Sequence, residues 1–351
     1  MLNSIPKCIT IFILPLVLIF SAITLSSTRA AEFDWRFQNN WVETRWESKM
    51  LNEFAERVHE KSNGRLKIAV FSGGSLGIKP ADHLQALRSG AVQMAVLYPG
   101  YLARDVPEVA NALPNGAVYS DSEAVALNPV LMDIYRKGYE RWNAVTVGWL
   151  NTPPYRLSIF CNEPIRSLAG LSGKKLRVWV KDVIEPFNAL GIRAQLMPQD
   201  ELYVAIQTGV VDCAIHSLAI ASTLSLQEVT NYAAPMFTLS GLSAVAVSKR
   251  HWESLPADLQ AVVNEAGEWL YAKTETAGLE VSRDLETKAV ETFNETGEIK
   301  VLDDFSTEDK NAFYNEVVKT WLENTSKAGD EQVANRNNIM TSLKEIRARI
   351  N

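Results

Sequence analysis

Two arginines occupy positions where an arginine is costly. Arg177 lies within Leu176-Arg177-Val178-Trp179-Val180, an apolar stretch of the kind that forms a buried strand. A guanidinium among buried residues is destabilising unless something pairs it. Arg156 follows Pro153-Pro154-Tyr155 and precedes the strand-like Leu157-Ser158-Ile159-Phe160. A guanidinium presents a rigid fork that matches a carboxylate through two hydrogen bonds. Two such groups converging on a cleft would select an organic acid. Alternatively, each is paired to a carboxylate of the protein itself.

Other chemistry has less support. Gly73-Gly74-Ser75-Leu76-Gly77 satisfies G-x-S-x-G and follows a strand-like segment, as the nucleophile elbow of an α/β-hydrolase does. An elbow must pass straight into a helix, and here Ile78-Lys79-Pro80 intervenes. Too little chain precedes it to build the rest of a hydrolase sheet. The stretch reads as a glycine-rich turn whose backbone can approach a ligand closely. It lacks the G-K-[ST] ending of a phosphate loop, and no G-x-G-x-x-G occurs elsewhere. His59, His83, His216 and His251 are scattered and form no H-E-x-x-H, and there is no C-x-x-C. Neither a metal nor another cofactor is expected.

The first thirty residues have their own character. Lys7 precedes an apolar run over 9–25, and Thr28-Arg29-Ala30 supplies the small residues of a cleavage site. We expect a signal peptide over residues 1–30, cut after Ala30, and hence export to the periplasm; the rival reading is an uncleaved membrane anchor, for which the run is short. Loss of Lys7 and Arg29 reduces the 35 basic residues to about 33 against 41 acidic ones, a net charge of about −8. Such a chain has no basic surplus for nucleic acid or anionic lipid, so any anion site must be local. Cys161 and Cys213 remain after Cys8 leaves. In an exported chain they either pair or stay as buried thiols.

The mature chain is long enough for two domains. Residues 33–37, 65–71 and 91–97 read as strands separated by helices, and the same grammar returns over 174–180, a strand reaching Met197, and 210–215. Alternating strands and helices imply an α/β fold with mostly parallel sheets. Leu84-Gln85-Ala86-Leu87-Arg88-Ser89-Gly90 is echoed by Tyr203-Val204-Ala205-Ile206-Gln207-Thr208-Gly209, which suggests two lobes built alike. The last hundred residues are helical in pattern, and the run over 256–288 is long enough to reach across both lobes.

Several segments, in order, carry a resemblance to a known family. They are Asn63-Gly64-Arg65-Leu66-Lys67-Ile68, the Gly73–Gly77 turn, Gly173-Lys174-Lys175-Leu176-Arg177-Val178, and Pro198-Gln199-Asp200-Glu201-Leu202-Tyr203. Gln207-Thr208-Gly209-Val210-Val211-Asp212 and Ser248-Lys249-Arg250 with Trp252 complete the set. Over about 39–346 the chain resembles the solute-binding proteins of tripartite ATP-independent periplasmic (TRAP) transporters, the DctP family.

The resemblance implies a two-lobe, periplasmic-binding-protein-like α/β fold with a central ligand cleft and a long helix spanning both lobes. Lobe I would hold 31–153 with about 242–281, and lobe II 154–241 with about 282–351. It implies a monomeric, non-enzymatic receptor that closes on a small organic acid and delivers it to small and large membrane permease subunits. Arg177 matches the family's carboxylate-binding arginine, and Arg156 aligns with a second one. His216 stands where many members carry asparagine, so it could contact the ligand and titrate near neutral pH. Trp41, Tyr98, Tyr155 and Trp179 fall near the presumed cleft and suggest a bulky or aromatic acid. The rival readings are a secreted hydrolase using Ser75, or a binding protein for an ATP-driven permease or a sensor.

Overall fold

The strands of both repeated segments enter one sheet. The computed structural model describes residues 31–118 and 120–350; the expected signal peptide lies outside them. Nine strands are present among these residues: β1 Phe33–Gln38, β2 Leu66–Phe71, β3 Met94–Leu97, β4 Ala144–Cys161, β5 Lys175–Val178, β6 Arg193–Leu196, β7 Cys213–Ser217, β8 Tyr232–Ser248 and β9 Lys300–Val301. Their order is β2-β1-β3-β8-β4-β7-β5-β6, with β9 against β8.

This order is a palindrome of two similar halves. In the first, β1 is parallel to β2 and β3, and β3 is antiparallel to β8. In the second, β5 is parallel to β6 and β7, and β7 is antiparallel to β4. The sequence echo falls on equivalent places. Helix His83–Ser89 ends at Gly90 with φ 74°, and Leu202–Gln207 is followed by Gly209 with φ 73°. Both glycines adopt the left-handed conformation that other residues enter at a cost. Val92 N donates to Ala86 O and Val211 N donates to Ala205 O. The registers Gln38↔Ala95 and Arg177↔Ala214 then give Arg177 the sheet position that Gln38 holds in the first half.

Strands β4 and β8 run through both halves and join them. Their pairing breaks between Thr152 and Tyr155. Pro153-Pro154 lies in that interval, and proline has no N–H to give the ladder. The 40-residue helix Ala257–Thr296 crosses the same junction. Leu259, Val263 and Leu270 enter the first-half core with Phe37, Phe54 and Val245, and Phe293 enters a second-half core with Phe160 and Leu202. Where the helix meets β4 both partners are glycine. A Cβ on Gly267 would lie 1.8 Å from the Val147 carbonyl oxygen, and one on Gly148 would lie 2.9 Å from Gly267 Cα. Only glycine allows so close an approach.

The two C-terminal helices pack on different halves of the sheet. Helix Thr307–Lys327 does cover the second half through Phe313 and Val317. Helix Asp330–Ile350 instead returns to the first half, where Ile339, Leu343 and Ile346 pack with Leu131, Ile134 and Tyr135. An apolar stripe on a helix shows that one face is covered. It carries no mark of which lobe covers it.

Candidate functional site

The carboxyl ends of the parallel strands in both halves face one another across β4 and β8. That is where open α/β sheets bind ligands. The chain leaving β1 carries Trp41 and Arg45, and Tyr98 follows β3. Arg177 and Trp179 stand at the end of β5, His216 and Ser217 at the end of β7, and Tyr155 and Leu157 come from β4. These side chains line a cavity of about 60 Å³, room for several waters or a small ligand.

The loop bearing Trp41 and Arg45 is held by Asn39, which is fully buried. Asn39 Oδ1 accepts from Trp41 N at 3.1 Å, and its Nδ2 donates to Ser48 Oγ at 2.8 Å and Ser72 Oγ at 3.1 Å.

Two guanidiniums face the cavity. Arg177 is 1% exposed. Its Nε donates to Met197 O at 3.0 Å and its Nη1 to Ile215 O at 3.1 Å, which fixes the plane of the group. Arg45 is gripped by the fully buried Glu47: Nε donates to Oε2 at 3.1 Å, and Nη2 pairs with Oε1. The Tyr155 hydroxyl donates to the same carboxylate at 3.3 Å. Burial opposes the charge on Arg45, but Glu47 outweighs it and holds the pKa above the usual guanidinium range. Its guanidinium carbon lies 5.6 Å from the ring centroids of both Trp41 and Tyr155, within cation–π range.

Contacts across the cleft close the cavity. Arg45 Nη1 donates to Gln199 Oε1 at 3.4 Å, and Trp179 Nε1 donates to the Tyr98 hydroxyl at 3.2 Å.

His216 is buried, with Nδ1 3.4 Å from Ser217 O. Burial, reinforced by Arg177 and Arg45, pushes its pKa down to about 3. The neutral-pH titration that the sequence allows is thereby removed: the imidazole is neutral and acts through hydrogen bonding alone.

Of the residues singled out from sequence, Trp41, Tyr98, Tyr155, Arg177, Trp179 and His216 line this cavity. Arg156 does not. Its Nε donates to Glu286 Oε1 at 2.7 Å and its Nη1 to Asp304 Oδ1 at 3.2 Å, and its side chain is 40% exposed. Successive strand residues point to opposite faces. Once Tyr155 faces the cavity, Arg156 must face away.

Arg45 is the second arginine that the sequence did not reveal. It looks like an ordinary residue before a helix, and Glu47 looks like an acid favouring the positive end of that helix. Ser75 is exposed on a turn where Gly73, Gly74 and Gly77 all have positive φ. His83 is 2% exposed and engages Val96 O through Nδ1, at 2.8 Å. Cys161 and Cys213 face one another in the β4–β7 ladder and form a disulfide, with Cα atoms 4.5 Å apart.

Comparison with known proteins adds to this geometry. Residues 37–327 match the family model described as bacterial extracellular solute-binding protein, family 7. A solute-binding protein of Sulfitobacter sp. (strain NAS-14.1) is 29% identical over 257 residues, covering 71% of this chain and 76% of that protein. The C4-dicarboxylate-binding periplasmic protein DctP of Rhodobacter capsulatus is 28% identical over 239 residues, covering 61% of this chain and 64% of that protein. Among solved structures, a TRAP periplasmic solute-binding protein from Desulfovibrio salexigens with bound orotic acid superposes with TM-score 0.77 at 20% identity, covering 91% of this chain and 99% of that one. The Bordetella pertussis receptor DctP7, which binds pyroglutamic acid, gives TM-score 0.76 at 21% identity, covering 89% and 99%. At that identity the superpositions establish a shared fold. No helix among the described residues is long and apolar enough to cross a membrane.

Proposed function

The chain belongs to the bacterial extracellular solute-binding proteins of family 7, and on that footing we propose that it captures a small organic acid in the periplasm and presents it to a two-part TRAP permease. The single observation that carries this reading is the meeting of two buried guanidiniums from different halves, Arg177 and Arg45, at one aromatic-walled cavity. Arg177 binds the carboxylate. Arg45 and neutral His216 donate hydrogen bonds to the rest of the ligand. The rings of Trp41, Tyr155 and Trp179 cover a flat or bulky body. Buried ligand sites of this kind combine apolar walls with a few polar anchors.

No bond is made or broken in this scheme. Binding favours the closed arrangement because the ligand touches both lobes, and hinge motion occurs where β4 and β8 lose their pairing. We take lobe I as 31–153 with about 242–281 and lobe II as 154–241 with about 282–329, the C-terminal helix returning to lobe I. The chain acts as a monomer after its leader is removed, without cofactor or catalysis.

The test is a thermal-shift screen of organic acids followed by calorimetry on the best one. An acid at 100 times its Kd stabilises the native protein by about 2.7 kcal/mol. Arg177→Met is expected to fold and to lose at least ~30-fold in affinity, since truncating one partner of a buried charged pair costs about 2–5 kcal/mol. Near-native affinity in folded Arg177→Met protein would refute the assignment.

A further inference from the structure

We propose that Glu47 makes this site selective for acids bearing a single negative charge, and that it does so by occupying Arg45. The inference rests on the organic-acid reading above and specifies which acids the site accepts.

Arg45 offers the cavity a cation, but not an unmatched one. Glu47 is fully buried and takes the guanidinium fork on both of its oxygens, with the Tyr155 hydroxyl as a further donor to Oε2. Arg45 is itself 6% exposed, so the pair is shielded from water and its charges cancel locally. A ligand carboxylate at Arg177 meets a cation on the opposite side of the cavity. A second carboxylate reaching Arg45 would meet a guanidinium whose charge is already matched, with the Glu47 oxygens just behind it. Like charges brought together out of water repel strongly. Burying a charge without a partner of its own is costly.

The other charged and titratable groups nearby do not alter this. His216 lines the cavity and is neutral. Asp182 lies outside it, held by Asn115 through N at 2.8 Å and Nδ2 at 2.9 Å, and lines a separate cavity with Lys181. What Arg45 can still give a ligand is a hydrogen bond to a neutral acceptor. Its Nη1 now bonds Gln199 Oε1 at 3.4 Å, long enough to be exchanged for a better partner. The structure therefore assigns the site to monocarboxylic acids whose far end carries a carbonyl, amide or hydroxyl.

The experiment compares each of two diacids with its own monoamide, which has nearly the same shape and one charge fewer. The pairs are terephthalate with 4-carbamoylbenzoate, and succinate with succinamate. Calorimetry is run at pH 7.5, where every carboxyl is ionised, on the full mature chain. For the native protein, the monoamide of each pair that binds is expected to be tighter by about 10-fold or more. In E47Q, which keeps the shape and removes the charge, that ratio should move by about 10-fold toward the diacid. A native protein that binds diacid and monoamide equally, or folded E47Q with an unchanged ratio, would overturn the proposal while leaving the organic-acid reading in place. If E47Q does not fold, the native ratios decide. Failure of all four compounds and of every acid in the screen would remove both readings together.

Discussion

The indole Nε1 of Trp179 donates to the Tyr98 hydroxyl at 3.2 Å across the cleft. The two residues come from corresponding places, Tyr98 just after β3 and Trp179 just after β5, so the bond ties one half of the palindromic sheet to the other. Burial pushes the Tyr98 phenol well above the usual range, which keeps it protonated at any physiological pH. Tyr98→Phe preserves the ring and removes the acceptor. A hydrogen bond of this kind contributes about 0.5–1.5 kcal/mol, so affinity should weaken roughly 2- to 10-fold, mostly as faster release. Stopped-flow release of the bound acid checks this. An unchanged off-rate would mean that the bond does not help hold the lobes together.

At Gly100 the first half approaches Val180 of the second closely. A Cβ there would sit 2.5 Å from Val180 Cγ1 and 2.8 Å from the Tyr98 ring, distances that no real contact tolerates. Its φ is not in the left-handed region, so alanine costs nothing in backbone strain and acts only through this contact. Gly100→Ala should fold normally and resist closure. Ligand-induced compaction in small-angle scattering should shrink or vanish, and affinity should fall by ~10-fold or more. Adding Val180→Ala should restore part of both, the Tyr98 ring accounting for the rest. A normally closing Gly100→Ala protein would show that the approach relaxes without cost.

Legibility in the sequence divided along physical lines. The βα units, the long helix and the internal echo were visible because periodicity and glycine stops are local. Arg177 was visible because an arginine inside an apolar strand contradicts its surroundings. Arg45 was hidden because it contradicts nothing: before a helix, two residues from a glutamate, it has an ordinary explanation. Arg156 cannot share the cavity with Tyr155, because the two-residue period of a strand turns neighbouring residues to opposite faces. The return of helix Asp330–Ile350 to the first half was illegible because a helix's apolar face does not say what covers it.

The Cys161–Cys213 disulfide joins β4 to β7 at the end remote from the cavity, its partners 52 positions apart in sequence. A cross-link of that span stabilises by up to about 4 kcal/mol through the unfolded chain. The double change Cys161→Ser/Cys213→Ser should lower the unfolding free energy by roughly 2–4 kcal/mol and leave ligand affinity unchanged. Denaturant unfolding and calorimetry on the same preparation test both parts. Two titratable thiols in the denatured, unreduced native protein would count against the bond itself.

His216 gives the last prediction, and its sign follows from which state binds the proton. In the folded protein burial, with Arg177 and Arg45 adding to it, lowers the pKa to about 3. In the unfolded chain the imidazole titrates at its ordinary value of about 6.5. Between those values the unfolded chain takes up a proton that the folded protein refuses, so stability falls as pH is lowered through 6.5. The loss approaches about 1.4 kcal/mol per pH unit and reaches on the order of 2 kcal/mol at pH 5 relative to pH 7. His83, whose pKa burial also lowers, contributes in the same direction, so the informative quantity is a difference. His216→Asn should lose less stability than the native protein between pH 7 and pH 5, by about 2 kcal/mol. Binding should behave differently. A histidine that stays neutral changes no charge between pH 5.5 and 8.5, so the affinity for a fully ionised acid should be flat across that range in both proteins. Chemical denaturation at each pH measures the first effect and calorimetry the second. Parallel stability curves for native and His216→Asn protein, or a native affinity that weakens steadily as pH rises, would show that the imidazole is charged in the folded protein.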